Sequence, residues 1–144
     1  MPIEFSGING VKKSPQWIKS GLNTEAIKFA EEFGKSLSNR RLSTSQIRNI
    51  FGEVRRIQQK GITNNSFDSE VLLLKPKLSY ARARIGGMNP KASEAARDLE
   101  SVLAPAIDAI FQDAADVKQK FQRFENFANF FEAILAYHRA YGGK

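Results

Sequence analysis

The chain has 144 residues, no cysteine, and a formal charge of +7 from 22 Lys and Arg against 15 Asp and Glu. This length supports one domain with a real buried core, and the missing cysteine excludes disulfides, thiol nucleophiles and thiolate metal sites. No segment is apolar and charge-free enough to span a bilayer, and the first twenty residues hold no continuous apolar signal stretch, so a soluble cytoplasmic protein is expected. The charge is segregated. Residues 40–91 carry eleven Lys or Arg against three acids, net +8, while the remainder is net −1. Such a zone suggests a polyanion partner, nucleic acid being the simplest; a solvated basic face is the alternative.

Residues 1–22 mix Gly, Ser, Pro and Lys without periodicity and read as a loosely ordered leader that Trp17 and Ile18 dock. The first helix is expected from a capping Thr24, with Ile27, Ala30, Phe33 or Gly34, and Leu37 on its apolar face. Ser43 and Gln46 have capping-box spacing and open a second helix. It carries Ile47, Ile50, Phe51, Val54 and Ile57 on one face and stops at Gly61. After a loop at 62–66, Asp68 or Ser69 caps a third helix running to Ile85, with Leu74, Leu78, Ala81 and Ile85 at helical steps and a bend at Pro76. A Gly-Gly turn follows. Asn89 and Pro90 stand in the cap and first-turn positions of a fourth helix, which Pro105 is expected to interrupt. The C-terminal third then steps by fours and threes through Ile110, Ala114, Val117, Phe121, Phe124, Ala128, Phe131, Leu135 and His138. A second seam runs through Phe127, Phe130, Ile134, Tyr137 and Tyr141. These patterns give an all-α, compact bundle of about five helices in a single domain over 23–144, with the long aromatic-rich last helix as its central post.

Little here suggests catalysis. The one histidine, His138, falls on an apolar seam, and Glu132 is six residues away on another part of the helix surface, so neither a catalytic set nor a metal site is expected. No cofactor motif occurs either: Gly86 and Gly87 precede a turn rather than follow a strand, and Glu31 and Glu32 read as the wet side of the first helix. The binding pattern is stronger. Arg48, Gly52, Arg55 and Gln59 form one stripe of the second helix, where two guanidiniums can each fork a phosphate and Gly52 leaves room for a backbone or for close helix packing. On the third helix, Lys75 pairs with Arg82 on one flank and Lys77 with Arg84 on the other, so that one flank can meet nucleic acid and the other protein. Tyr80, near the second flank, is placed either to stack on a base or to serve a core or interface.

Three segments, IRNIFGEVRRI (47–57), LLLKPKLSYARAR (72–84) and FFEAILAYHRAYGG (130–143), together resemble the small subunit of the type III-A CRISPR effector (Csm) complex. The similarity covers roughly residues 23–143. It implies a helical, non-catalytic subunit that acts in antiviral defence. Several copies would stack along a ribonucleoprotein filament beside backbone subunits that hold the guide RNA, lining the path of the target RNA, with a large subunit as a further partner. Target cutting would belong to the backbone subunit, and nuclease and cyclic-nucleotide synthesis to the large one. In such a subunit the basic stripes of the second and third helices would be the RNA-contacting surface, with Arg48, Arg55, Lys75, Lys77, Arg82 and Arg84 as its expected residues. The related small subunit of type III-B complexes is one alternative, and a helix-turn-helix DNA-binding regulator using the second and third helices is another. Against the regulator, the loop from Gly61 to Phe67 exceeds the usual three- or four-residue turn.

Overall fold

The structure, a computed structural model, describes residues 9–61, 66–85 and 89–144. Positions 1–8 of the expected leader, 62–65 of the expected loop and 86–88 of the Gly-Gly turn lie outside the described residues. Among the described residues the architecture is all-α, with α1 (Asn9–Ser20), α2 (Thr24–Asn39), α3 (Thr44–Lys60), α4 (Phe67–Leu72), α5 (Leu74–Ile85), α6 (Pro90–Phe111) and α7 (Val117–Ala140). The count exceeds five because the leader contributes a helix and the expected third helix is divided.

The division answers to Pro76. In one continuous helix its missing N–H would orphan the Leu72 carbonyl. The chain instead breaks at Leu73 and starts again at Leu74, so that Pro76 falls in a first turn, where N–H groups have no intrahelical partner. The Lys77 amide then bonds the Leu73 carbonyl at 3.2 Å. Pro105, by contrast, does not interrupt α6, which runs unbroken past it with Val102, Leu103, Ala106 and Ile107 fully buried on either side. Tertiary packing there outweighs the one lost hydrogen bond. The long C-terminal seam begins later than its sequence steps suggest: Ile110 belongs to α6, Asp113 takes a positive φ of 54°, and the Asp116 side chain caps α7 by accepting from the Gln119 amide. Val117 is consequently exposed.

Helix α7 is the central post, packed against α1, α2, α3 and α6. Its Phe124, Phe127, Phe130 and Phe131 are buried and join two aromatic chains, one through Trp17, Phe29 and Phe33, the other through Phe51, Phe67 and Phe121. The expected docking of Trp17 and Ile18 is present, yet α1 is an ordered member of the bundle rather than a leader. Ser14 donates to the Val102 carbonyl at 3.3 Å and Asn126 to the Ile18 carbonyl at 2.9 Å. Helix α2 is capped by Asn23 rather than Thr24, and Ala26 and Phe29 hold its buried face where Ile27 was expected. The α3 capping box and the Asn89 cap of α6 form as read from the sequence.

Candidate nucleic-acid interface

The wet side of α3 carries Arg48, Gly52, Arg55 and Gln59, all exposed. Gly52 meets nothing: a Cβ built on it would find no atom within 4 Å, so close helix packing does not explain the glycine. Arg55 is already engaged. It pairs with Glu132 of α7 at 3.0 Å, donates to Gln58 at 3.0 Å, and its guanidinium lies 4.8 Å from the Phe51 ring centroid. Arg48 has no ion pair among the described residues.

On α5 the two flanks separate as the spacing requires. Lys75 reaches Asp108 of α6 at 2.7 Å and Arg82 reaches Glu100 of α6 at 2.7 Å, so this flank faces the chain's own core partner. On the other flank Lys77 meets Glu53 of α3 at 2.8 Å, while Arg84 has no acidic partner among the described residues and its guanidinium sits 5.8 Å from the Tyr80 ring. Lys77 and then Arg56, at 2.9 Å, hold the Glu53 carboxyl below its usual pKa. The sequence segregation of charge is thus partly undone by folding. Arg40 pairs with Glu94 and Asp98, and Arg55, Lys75 and Arg82 with Glu132, Asp108 and Glu100, all acids from outside residues 40–91.

Five cations keep no ion pair among the described residues and border a continuous run of surface: Arg41, Arg48, Arg84, Arg139 and Lys144. One hollow of about 400 Å³ lies at the α2–α3 turn between Arg41 and Lys144. A second of about 420 Å³ lies at the α3 N-terminus among Thr44, Arg48, Arg139 and Lys144. A third, a groove of about 390 Å³ between α3 and α5, adjoins it through the shared walls Ser45 and Asn49 and ends at Tyr80 and Arg84. No Asp or Glu among the described residues lines the first two, and Glu53 in the third is neutralised by its two cations.

Arg41, Arg139 and Lys144 were not among the residues singled out from the sequence, because Arg41 falls on neither basic stripe and the other two lie about fifty positions beyond the basic zone. Tertiary contacts bring them in. His138 donates from Nε2 to the Leu42 carbonyl at 2.5 Å, and Ser38 donates to the Tyr141 carbonyl at 3.0 Å, tying the end of α7 to the turn that precedes α3. Tyr141 donates to Glu31 at 2.6 Å on the same corner. The Leu42 carbonyl takes one ring nitrogen of the fully buried His138, so this side chain is a structural tether and is not presented to a ligand.

The family model described as Csm2 Type III-A matches residues 23–144. The chain belongs to this family. It is therefore a small subunit of the type III-A Csm complex, and α1, which lies before the matched region, adds a helix that the subunit packs into the same core. Comparison with curated proteins and with solved structures finds no match. Among the described residues no helix of the subunit is long and apolar enough to cross a membrane.

Proposed function

We propose that the subunit is a non-catalytic, RNA-facing element of the Csm complex in antiviral defence in the cytoplasm. Several copies stack along the guide-RNA ribonucleoprotein beside the backbone and large subunits, each holding the target RNA by its phosphates. The observation that supports this reading is the run of surface bordered by Arg41, Arg48, Arg84, Arg139 and Lys144, five cations with no ion pair among the described residues. A phosphate offers each guanidinium a charge-assisted, forked hydrogen bond that the fold itself does not supply.

Within this reading the six residues singled out from the sequence divide. Arg48 and Arg84 contact RNA. Arg55, Lys75, Lys77 and Arg82 hold α3 and α5 against their neighbours, since binding a phosphate would only exchange one anion for another with little net gain. Phosphate contacts fix position without reading sequence, as suits an assembly whose specificity comes from pairing with a guide.

Ultraviolet crosslinking of tagged native subunit, followed by purification, tests the reading. Guide RNA, target RNA and the other Csm subunits should travel with it, with crosslinked peptides falling on α3, α5 and the C-terminal residues. Nanomolar binding of the free chain to one duplex DNA sequence would instead establish the helix-turn-helix regulator.

A further inference from the structure

The groove between α3 and α5 is open where packed helices normally close. Its floor is apolar, with Ile50 and Ile85 buried and Ala81 half-buried, and its volume of about 390 Å³ is left unfilled by the side chains of the described residues. Tyr80 stands at the rim with 66% of its surface exposed, the highest of the large hydrophobic residues described. It neither covers the floor nor contacts another aromatic ring among the described residues; its one ring partner is the Arg84 guanidinium. Across the groove the Asn49 side chain is exposed and has no hydrogen-bond partner among the described residues. The groove therefore combines an aromatic face, an apolar floor, a free amide and an unpaired cation. Glu53, the one acid lining it among the described residues, is already held by Lys77 and Arg56.

Charge selects the occupant. An apolar floor alone suits many partners, but unpaired arginines at both ends, Arg84 in the groove and Arg48 in the adjoining hollow, favour a flat group carried on an anionic chain. The geometry points to a site for one unpaired nucleobase of single-stranded RNA, stacked on Tyr80 over the Ile50–Ile85 floor, with its flanking phosphates held by Arg84 and Arg48. The site rests on the RNA-facing reading above and adds a base contact to it. A base paired with the guide has its stacking faces covered, so the occupant is a nucleotide outside that pairing. Recognition by stacking accepts any base, because each has a π face.

The test uses the full-length protein and a single-stranded RNA octamer carrying one 2-aminopurine, read by fluorescence and anisotropy, beside an octamer abasic at that position. Wild type should quench the fluorophore. Tyr80→Ala should lower affinity about tenfold and abolish quenching, while Tyr80→Phe keeps both; the abasic octamer should bind wild type as weakly as the intact one binds Tyr80→Ala. Tyr80 is exposed, so an unchanged thermal midpoint in Tyr80→Ala certifies its fold. Arg48→Glu with Arg84→Glu should weaken both octamers. If those reversals weaken both octamers but Tyr80→Ala and the missing base change nothing, the base site is overturned and the phosphate reading stands. If the reversals have no effect on either octamer, both fall. Loss of another Csm subunit from the complex on Tyr80→Ala, with octamer binding intact, makes the groove a protein contact and overturns the site.

Discussion

His138 fastens the end of α7 to the α2–α3 turn at one end of the proposed interface, and its chemistry sets a pH dependence. Burial outweighs the Leu42 hydrogen bond and holds the imidazole below its ordinary pKa of 6.5. The folded chain keeps the ring neutral where the unfolded chain takes up a proton. The resulting stability is complete above 6.5 and is lost progressively as pH falls below it. Glu53 and Glu70 lie below their ordinary 4.5, held by Lys77 and Arg56 and by Arg56 and Lys60, so their contribution is lost only further down. Thermal midpoints measured against pH should be flat near neutrality and decline below about 6.5. In His138→Gln the decline between the two thresholds should vanish and the carboxylate decline remain; an unchanged profile would remove His138 from the account.

Two glycines of opposite surroundings give a second residue-scale prediction. At Gly34 a Cβ would come within 2.8 Å of the His138 amide and the Ile134 carbonyl, both backbone atoms of α7, so Gly34→Ala must push α2 and α7 apart. A cost of about 1–3 kcal/mol is expected in denaturant unfolding. Gly52 lies in the same kind of helix with open space around it, and Gly52→Ala should stabilise the free chain by about 0.5–1 kcal/mol. Equal effects at both positions would mean the α2–α7 crossing is misplaced.

At the scale of elements, the sequence was legible where local signals agreed. Helix α3 combines the Ser43 and Gln46 capping box, five apolar residues at helical steps and a glycine stop, and each feature falls in place. The split between α4 and α5 was not legible, because Leu72, Leu73 and Leu74 read as one continuous helix; the shift of Pro76 into a first turn depends on a break that leaves Leu72 and Leu73 exposed. Helix α1 is as amphipathic as α2, with Ser14, Trp17 and Ile18 buried on one face, but Pro15 inside it and the Gly and Ser around it read as loop, and its contacts to α6 and α7 exist only in the folded chain. Replacing Phe124 or Phe131, both fully buried on α7, with Ala should cost about 3–5 kcal/mol by denaturant unfolding. Unchanged stability in either variant would displace α7 from the centre of the core.

Across the whole molecule, what decides the function is which positive charges remain after folding has paired the others. Sequence counting finds the basic zone but not its neutralisation. The acids that meet Arg55, Lys75 and Arg82 come from α6 and α7, and Arg139 and Lys144 join Arg41 and Arg48 only because the end of α7 is fastened to the α2–α3 turn. The most direct test is the salt dependence of target-RNA binding by assembled Csm complex containing either Arg48→Glu with Arg84→Glu or Lys75→Gln with Arg82→Gln. The account predicts that the first pair weakens binding about equally for every target sequence and flattens the log–log salt slope by roughly 0.7 for each lost contact in each copy, while the second pair leaves the slope unchanged. An unaltered slope in Arg48→Glu with Arg84→Glu, or a slope flattened instead by Lys75→Gln with Arg82→Gln, would contradict it.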